Sequence, residues 1–329
     1  MSAPPLRALL ERPWVRVAGG LLGLGVLALV VYASGARAVL KGLGASIHVL
    51  PAVAAFELAS LVCRTLALRS LYGSDAARVA PRQWLRAGAL GYAVGAVFPI
   101  GRTACEASRA LLLGRTVGGA RAAVAAVQMQ GVALWANALL TLVTFGVALR
   151  LLGLGAISVI LLGNSLVTLA LGTGILAVRA RGRPGRLLGL LTPRGRDFGR
   201  AFDASLGASG RNILGSLSWE TAARVVQLFQ CAVALAAVGQ LTGPGETVLA
   251  NGLLMVGSAL GDVIPAQLGA TEATLVMGAA AVGLTAATAA TVALLLHGAQ
   301  LSLALLCGGV ALGTPGMARP GATPSLEKP

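Results

Sequence analysis

Glu106 and Arg109 stand three residues apart in "FPIGRTACEASRA", so on a helix an acid and a guanidinium share one face. Arg102 lies about one turn earlier, and Pro99 with Gly101 breaks the chain just before it. A half-helix starting there presents free backbone amides beside a guanidinium, a combination that suits a phosphate-bearing group. A second set follows in "VIPAQLGATEAT", where Pro265 and Gly269 precede Glu272. Glu272 has no basic residue nearby in sequence, which leaves three readings: pairing across an interface, accepting an amine, or staying protonated in an apolar setting. Glu57 with Arg64 in "FELASLVCR", and Glu220 with Arg224 in "WETAAR", add two further acid–base sets. Glu220 and Arg224 have the i,i+4 spacing with the acid first, the better order for a helical ion pair. Such pairs read either as site groups or as contacts that only fix helix packing. Gln130, His297 and Gln300 are isolated polar positions of the kind that hydrogen-bond between membrane helices.

All of these groups lie in or beside segments apolar enough for a bilayer. The chain has 329 residues, 56% of them hydrophobic and 11% charged, with a mean hydropathy of +0.82, which excludes an ordinary soluble domain. A charge at mid-bilayer costs about 2.5–3.5 kcal/mol on insertion scales. The acids Glu57, Glu106, Glu220, Asp262 and Glu272 are therefore expected to face partners or a wet cavity. The net charge of +15 gathers at the ends of apolar runs, not on a basic face interleaved with aromatics, so nucleic acid is not an expected partner. No H-E-x-x-H, P-loop, G-x-S-x-G or metal-ligand spacing occurs, and neither enzyme chemistry, cofactor nor metal is expected. Cys63, Cys105, Cys231 and Cys307 are far apart in apolar surroundings and read as small buried hydrophobes. Arg outnumbers Lys by 24 to 2 beside abundant Ala and Gly, a composition that looks like a GC-rich bacterial genome.

The elements that must position these groups are helices. Apolar periodicity and breaks place them at about 17–36, 46–68, 87–98, 103–116, 122–148, 152–178, 213–240, 247–263, 270–283 and 286–312. Six are long enough to span. The four short ones form two pairs, 87–98 with 103–116 and 247–263 with 270–283, each interrupted by proline and glycine, and read as re-entrant hairpins. Basic clusters orient the chain: Arg7, Arg12 and Arg16 in the tail 1–16, Arg69, Arg78, Arg82 and Arg86, and the basic loop 179–212 are expected in the cytoplasm. Arg319 and Lys328, in a disordered tail 314–329, then place the C-terminus there too. Arg37, Lys41 and Arg150 are left on the outer side. The first segment resembles a signal peptide with "ARA" at 36–38, and an uncleaved anchor is the expected outcome given the spans that follow.

The membrane domain, 17–313, carries an internal repeat. Shifting by 166 residues aligns "GYAVGAVFPIGRTACEAS" with "GSALGDVIPAQLGATEAT" at eight of eighteen positions, where composition alone gives about two. The matches include Gly91/Gly257, Gly95/Gly261, Pro99/Pro265 and Glu106/Glu272. Repeat one covers about 46–148 and repeat two about 213–312, in opposite orientations, and inverted repeats of this kind build a site at their interface from discontinuous helices.

The pattern resembles the flippase-like family that shares its membrane region with lysylphosphatidylglycerol synthases. Pro99, Glu106 and Arg109 match its P-x-R-x-G-E-x-x-R hairpin, and Gly269, Glu272 and Ala273 its G-x-x-E-[AG] ending, over roughly residues 40–312. Cys105 stands where the family usually has Gly, and Gln130 and His297 fall near positions where it often has Arg. The family's soluble synthase domain is not expected here. The resemblance implies an all-α polytopic protein of the bacterial inner membrane that binds a phospholipid or isoprenoid-type amphiphile and moves it between leaflets. Arg102, Glu106, Arg109 and Glu272 would hold the headgroup. Membrane lipids and a lipid-biosynthesis enzyme are the expected partners. The competing expectation is a non-catalytic scaffold of a lipid or envelope biosynthesis system whose basic loop recruits a partner, and a lipid-modifying enzyme comes third.

Overall fold

The computed structural model describes residues 13–181, 193–206, 210–240 and 243–313, and it is all-helical among them. Residues 1–12 with Arg7 and Arg12, the centre of the basic loop, and the tail with Arg319 and Lys328 lie outside the described residues. The helices are α1 (Pro13–Ala33), α2 (Ala36–Ser46), α3 (Leu50–Tyr72), α4 (Pro81–Val97), α5 (Gly101–Val117) and α6 (Gly119–Leu152). After these come α7 (Ala156–Arg181), α8 (Pro193–Ser205), α9 (Gly210–Ala237), α10 (Pro244–Gly261), α11 (Ala270–Met277) and α12 (Ala286–Gly313). Several carry a proline at their first or second position, Pro51, Pro81 and Pro244, where the missing N–H costs nothing. Gly153 ends α6 in the left-handed region at φ 72°, which an L side chain disfavours.

Among the described residues, four helical stretches are long and apolar enough to cross a bilayer: Ala36–Arg78, Gly119–Leu152, Ala156–Ala177 and Ala286–Gly313. Two of the six expected spans take a different form. The apolar part of α1 among the described residues is Leu21–Ala33, and α9, though 28 residues long, carries Glu220 and Arg224 in its middle. The surface confirms the solvent. On α7, Ser158, Ser165 and Thr168 are buried while Val159, Ile160, Leu166 and Val167 are exposed, the reverse of a helix in water. Ser165 donates to the Ala138 carbonyl of α6 at 2.9 Å, the kind of small-polar contact that holds membrane helices together.

Each broken pair folds back on itself through glycine. A Cβ on Gly95 would lie 3.0 Å from the Cys105 Cβ, and one on Gly261 would lie 2.9 Å from the Ala270 Cβ, so α4 on α5 and α10 on α11 approach as closely as glycine permits. These two glycines are the aligned pair of the sequence repeat. The longer helices pack in matching couples: α3 against α9; α4 against α12 and α10 against α6; α3 against α12 and α9 against α6. The two breaks also meet, since the Ile100 N–H donates to the Asp262 carbonyl at 2.7 Å. Among the described residues, the non-glycine residues with positive φ are Ile100, Ala266 and Gln267, each at 56°, and all three sit in these breaks. For Ile100, β-branched, that conformation is costly.

Two helices were not expected from the sequence. α2 fills the interval between the helices expected at 17–36 and 46–68, where Gly42 and Gly44 disfavour a helix on propensity alone. Gly42 instead lets α2 close on α12, where a Cβ would come 2.8 Å from the Thr291 hydroxyl. α8 lies in the basic loop and docks Phe202 and Leu206 onto Val124 of α6.

Candidate functional site

The broken pairs and the helices beside them enclose a cavity of about 220 Å³. That is below the roughly 300–1,000 Å³ of sites that swallow a whole drug-sized ligand, so it has room for a small polar group with water. Its wall includes four arginines, Arg64, Arg102, Arg109 and Arg224, and four acids, Glu57, Glu106, Glu220 and Asp262. A cavity so polar inside an apolar exterior explains how these charges are tolerated.

Most of them are already committed. Arg109, on α5, gives a hydrogen bond from its NH1 to Glu106 Oε1 at 2.8 Å, with both side chains buried. Its room comes from α4, where a Cβ on Gly91 would sit 2.5 Å from Arg109 Nε. Glu220 of α9 is shared: Arg224 reaches its Oε1 at 3.4 Å and Arg64 of α3 approaches the same oxygen at 3.9 Å. Arg224 also donates to Gln227 at 3.1 Å. The expected companionship of Glu57 with Arg64 is not made, because α3 turns Arg64 toward α9. Glu57 accepts instead from the Tyr92 hydroxyl of α4 at 2.8 Å. Arg102 differs. Among the described residues its side chain makes no hydrogen bond or ion pair, and only its backbone carbonyl is used, accepting from Gln130 of α6 at 3.0 Å.

Glu272 is not on the cavity wall. It is fully buried and tied at the start of α11, accepting the Gly269 N–H at 2.9 Å and the Thr271 hydroxyl at 3.2 Å. Its Oε1 lies 2.7 Å from Nδ1 of His297 on α12, and it is His297 that faces the cavity. Of the three readings open for this acid, the expected pairing across the repeat interface is not made: Glu272 pairs with His297 of its own half of the chain, because α11 and α12 pack side by side. Pro99 and Pro265 lie at the two breaks, with Gly101 and Gly269 opening α5 and α11. His297 and Gln130 each tie a long helix to the second helix of the broken pair preceding it.

Sequence reasoning passed over Tyr92, Asn137, Gln230, Asn251 and Gln267, all of which line the cavity. For four of them the signal is an uncharged polar side chain within a helix of apolar and small residues, while Gln267 lies in the second break. Several cavity polar atoms have no hydrogen-bond partner among the described residues: Glu106 Oε2, Glu220 Oε2, Arg224 Nε and His297 Nε2. Buried polar atoms left this way are costly. Among the described residues no cluster of side chains suited to a metal ion occurs.

No curated protein sequence and no solved structure matched the chain significantly. The family model of the lysylphosphatidylglycerol synthase TM region matches residues 16–308, and this chain, a multi-pass membrane protein, belongs to that family.

Proposed function

We propose that the chain binds the phosphate-bearing headgroup of a membrane lipid in this cavity and passes it between leaflets while the acyl chains stay in the bilayer. The observation that carries the reading is Arg102, a cavity guanidinium with no partner among the described residues, set beside pre-formed ion pairs. An arginine of this kind offers a planar fork of donors to phosphate, and its charge is unspent. The scaffold behind it is read as an inverted repeat, about 46–148 and 213–312, with six spans and two re-entrant hairpins. The matching couples of packed helices, the aligned glycines at both crossings and the contact between the two breaks support this. Transport would then proceed by rocking one repeat against the other around the cavity. The membrane is the bacterial inner membrane, both termini face the cytoplasm, and an enzyme of lipid biosynthesis is the natural neighbour, each resting on the sequence readings above. No enzyme chemistry is assigned to the chain.

The test is leaflet exchange in vesicles carrying the purified protein and a trace of labelled phospholipid, read by quenching the outer label. Exchange well above that of protein-free vesicles is expected. Exchange at the protein-free rate, with the protein correctly folded, overturns the reading.

A further inference from the structure

Binding a phosphate in this cavity raises a problem of charge. The four arginines and four acids of its wall already balance, so an anionic headgroup enters with one negative charge in excess. On that wall His297, with Glu272 buried behind it, forms an acid–imidazole dyad whose net charge depends on a proton. His297 is buried, its Nδ1 held 2.7 Å from Glu272 Oε1, and its Nε2 has no hydrogen-bond partner among the described residues although the ring lines the cavity. Because Glu272 already accepts two hydrogen bonds, from the Gly269 N–H and the Thr271 hydroxyl, it acts toward His297 as an acceptor too, so Nδ1 keeps its hydrogen and Nε2 is the nitrogen left to gain one.

We propose that His297 is a proton-binding site of the lipid cavity, taking one proton at Nε2 for each anionic headgroup bound, so that transport is a coupled movement of lipid anion and proton. This rests on the transport reading above. With the imidazole neutral and no lipid, the cavity and dyad together carry one negative charge. With the imidazolium and a singly charged phosphodiester, they carry the same. The site therefore crosses from one orientation to the other at constant charge, which avoids moving an extra charge through the bilayer core.

The surroundings of His297 are consistent with this role. From α11 it meets Glu272, and it shares the cavity wall with Glu57 and Arg64 of α3, Tyr92 of α4, whose hydroxyl is given to Glu57, Arg102, Glu106 and Arg109 of α5, the Glu220–Arg224 pair of α9, and Asp262. α2 also packs on α12, but its Arg37 and Lys41 are exposed and reach no part of the cavity. The ion-paired groups keep their charges through the cycle. Imidazole is the side chain that ordinarily exchanges its proton between pH 5 and 8.

The experiment uses the full chain in vesicles of phosphatidylcholine with a trace of labelled phosphatidylglycerol, a singly charged probe. With both sides at equal pH, leaflet exchange tests the transport reading alone. A gradient of one pH unit is then imposed. One proton per lipid predicts accumulation of the probe in the leaflet facing the alkaline side, approaching ten-fold, collapsed by a protonophore and lost in His297→Gln. Exchange that proceeds with the probe evenly distributed under a maintained gradient overturns the proposal and leaves the transport reading standing. A second measurement does not depend on transport or on a variant: short-chain phosphatidylglycerol is titrated into unbuffered wild-type protein near pH 7 with an indicator dye. Uptake of about one proton per lipid bound is expected, and binding with no uptake overturns the proposal.

Discussion

Arg109 and Glu106 offer the most quantitative check on the site's electrostatics. Arg109→Met removes the guanidinium whose NH1 lies 2.8 Å from Glu106 Oε1, in a place where the two side chains are only 3% and 7% exposed. The carboxylate then keeps only the Cys105 thiol, 3.7 Å away. Breaking a buried pair from one side costs about 3–5 kcal/mol, because the remaining charge is left desolvated. Glu106→Gln strands the guanidinium and is expected to cost a similar amount. Removing both charges removes the problem, so the double variant should lie within about 2 kcal/mol of the wild type. The two single costs sum to about 6–10 kcal/mol, which makes the coupling at least about 4 kcal/mol. Reversible unfolding in mixed micelles, followed by tryptophan fluorescence, measures all four proteins. Single variants costing under about 1 kcal/mol, or a double variant equal to the sum of the singles, would refute the claim that this pair is buried and mutually neutralised.

Other predictions follow from the breaks and crossings. Ala266→Gly relieves a left-handed alanine and should stabilise the protein by about 1 kcal/mol in the same unfolding assay. Gly257→Ala places a Cβ 2.8 Å from the Thr271 Cα, a backbone atom that cannot swing aside, and should destabilise by about 1–3 kcal/mol. With the four native cysteines replaced by alanine, a cysteine pair at positions 100 and 262 should cross-link under oxidation and stop leaflet exchange until reduced, because those residues join the two breaks. Phe202→Ala should loosen α8 from α6, seen as faster proteolysis in the basic loop, with leaflet exchange unchanged.

Much of this architecture was legible because membrane helices advertise themselves. The apolar runs gave most helices to within a few residues, and the aligned glycines Gly91/Gly257 and Gly95/Gly261 marked in advance where paired helices cross. Glu106 with Arg109 was readable because i,i+3 neighbours on one helix must share a face. The partners of Glu57, Arg64 and Glu272 were not. Those contacts join residues 35, 156 and 25 positions apart, and they depend on how helices rotate and tilt against one another, which periodicity does not encode. The same limit explains α2. A glycine that permits close packing and a glycine that opens a loop look alike until a neighbouring helix is known.

Leaflet exchange by wild-type protein beside Arg102→Gln and Arg102→Lys, at equal protein density and equal pH, tests the central claim most directly. If Arg102 is the open phosphate contact of the cavity, the glutamine variant exchanges labelled phospholipid at least about ten-fold more slowly than wild type, a loss of about 1.4 kcal/mol or more. Lysine, which keeps the charge without the fork, recovers part of the rate. Equal rates for all three proteins would contradict the account.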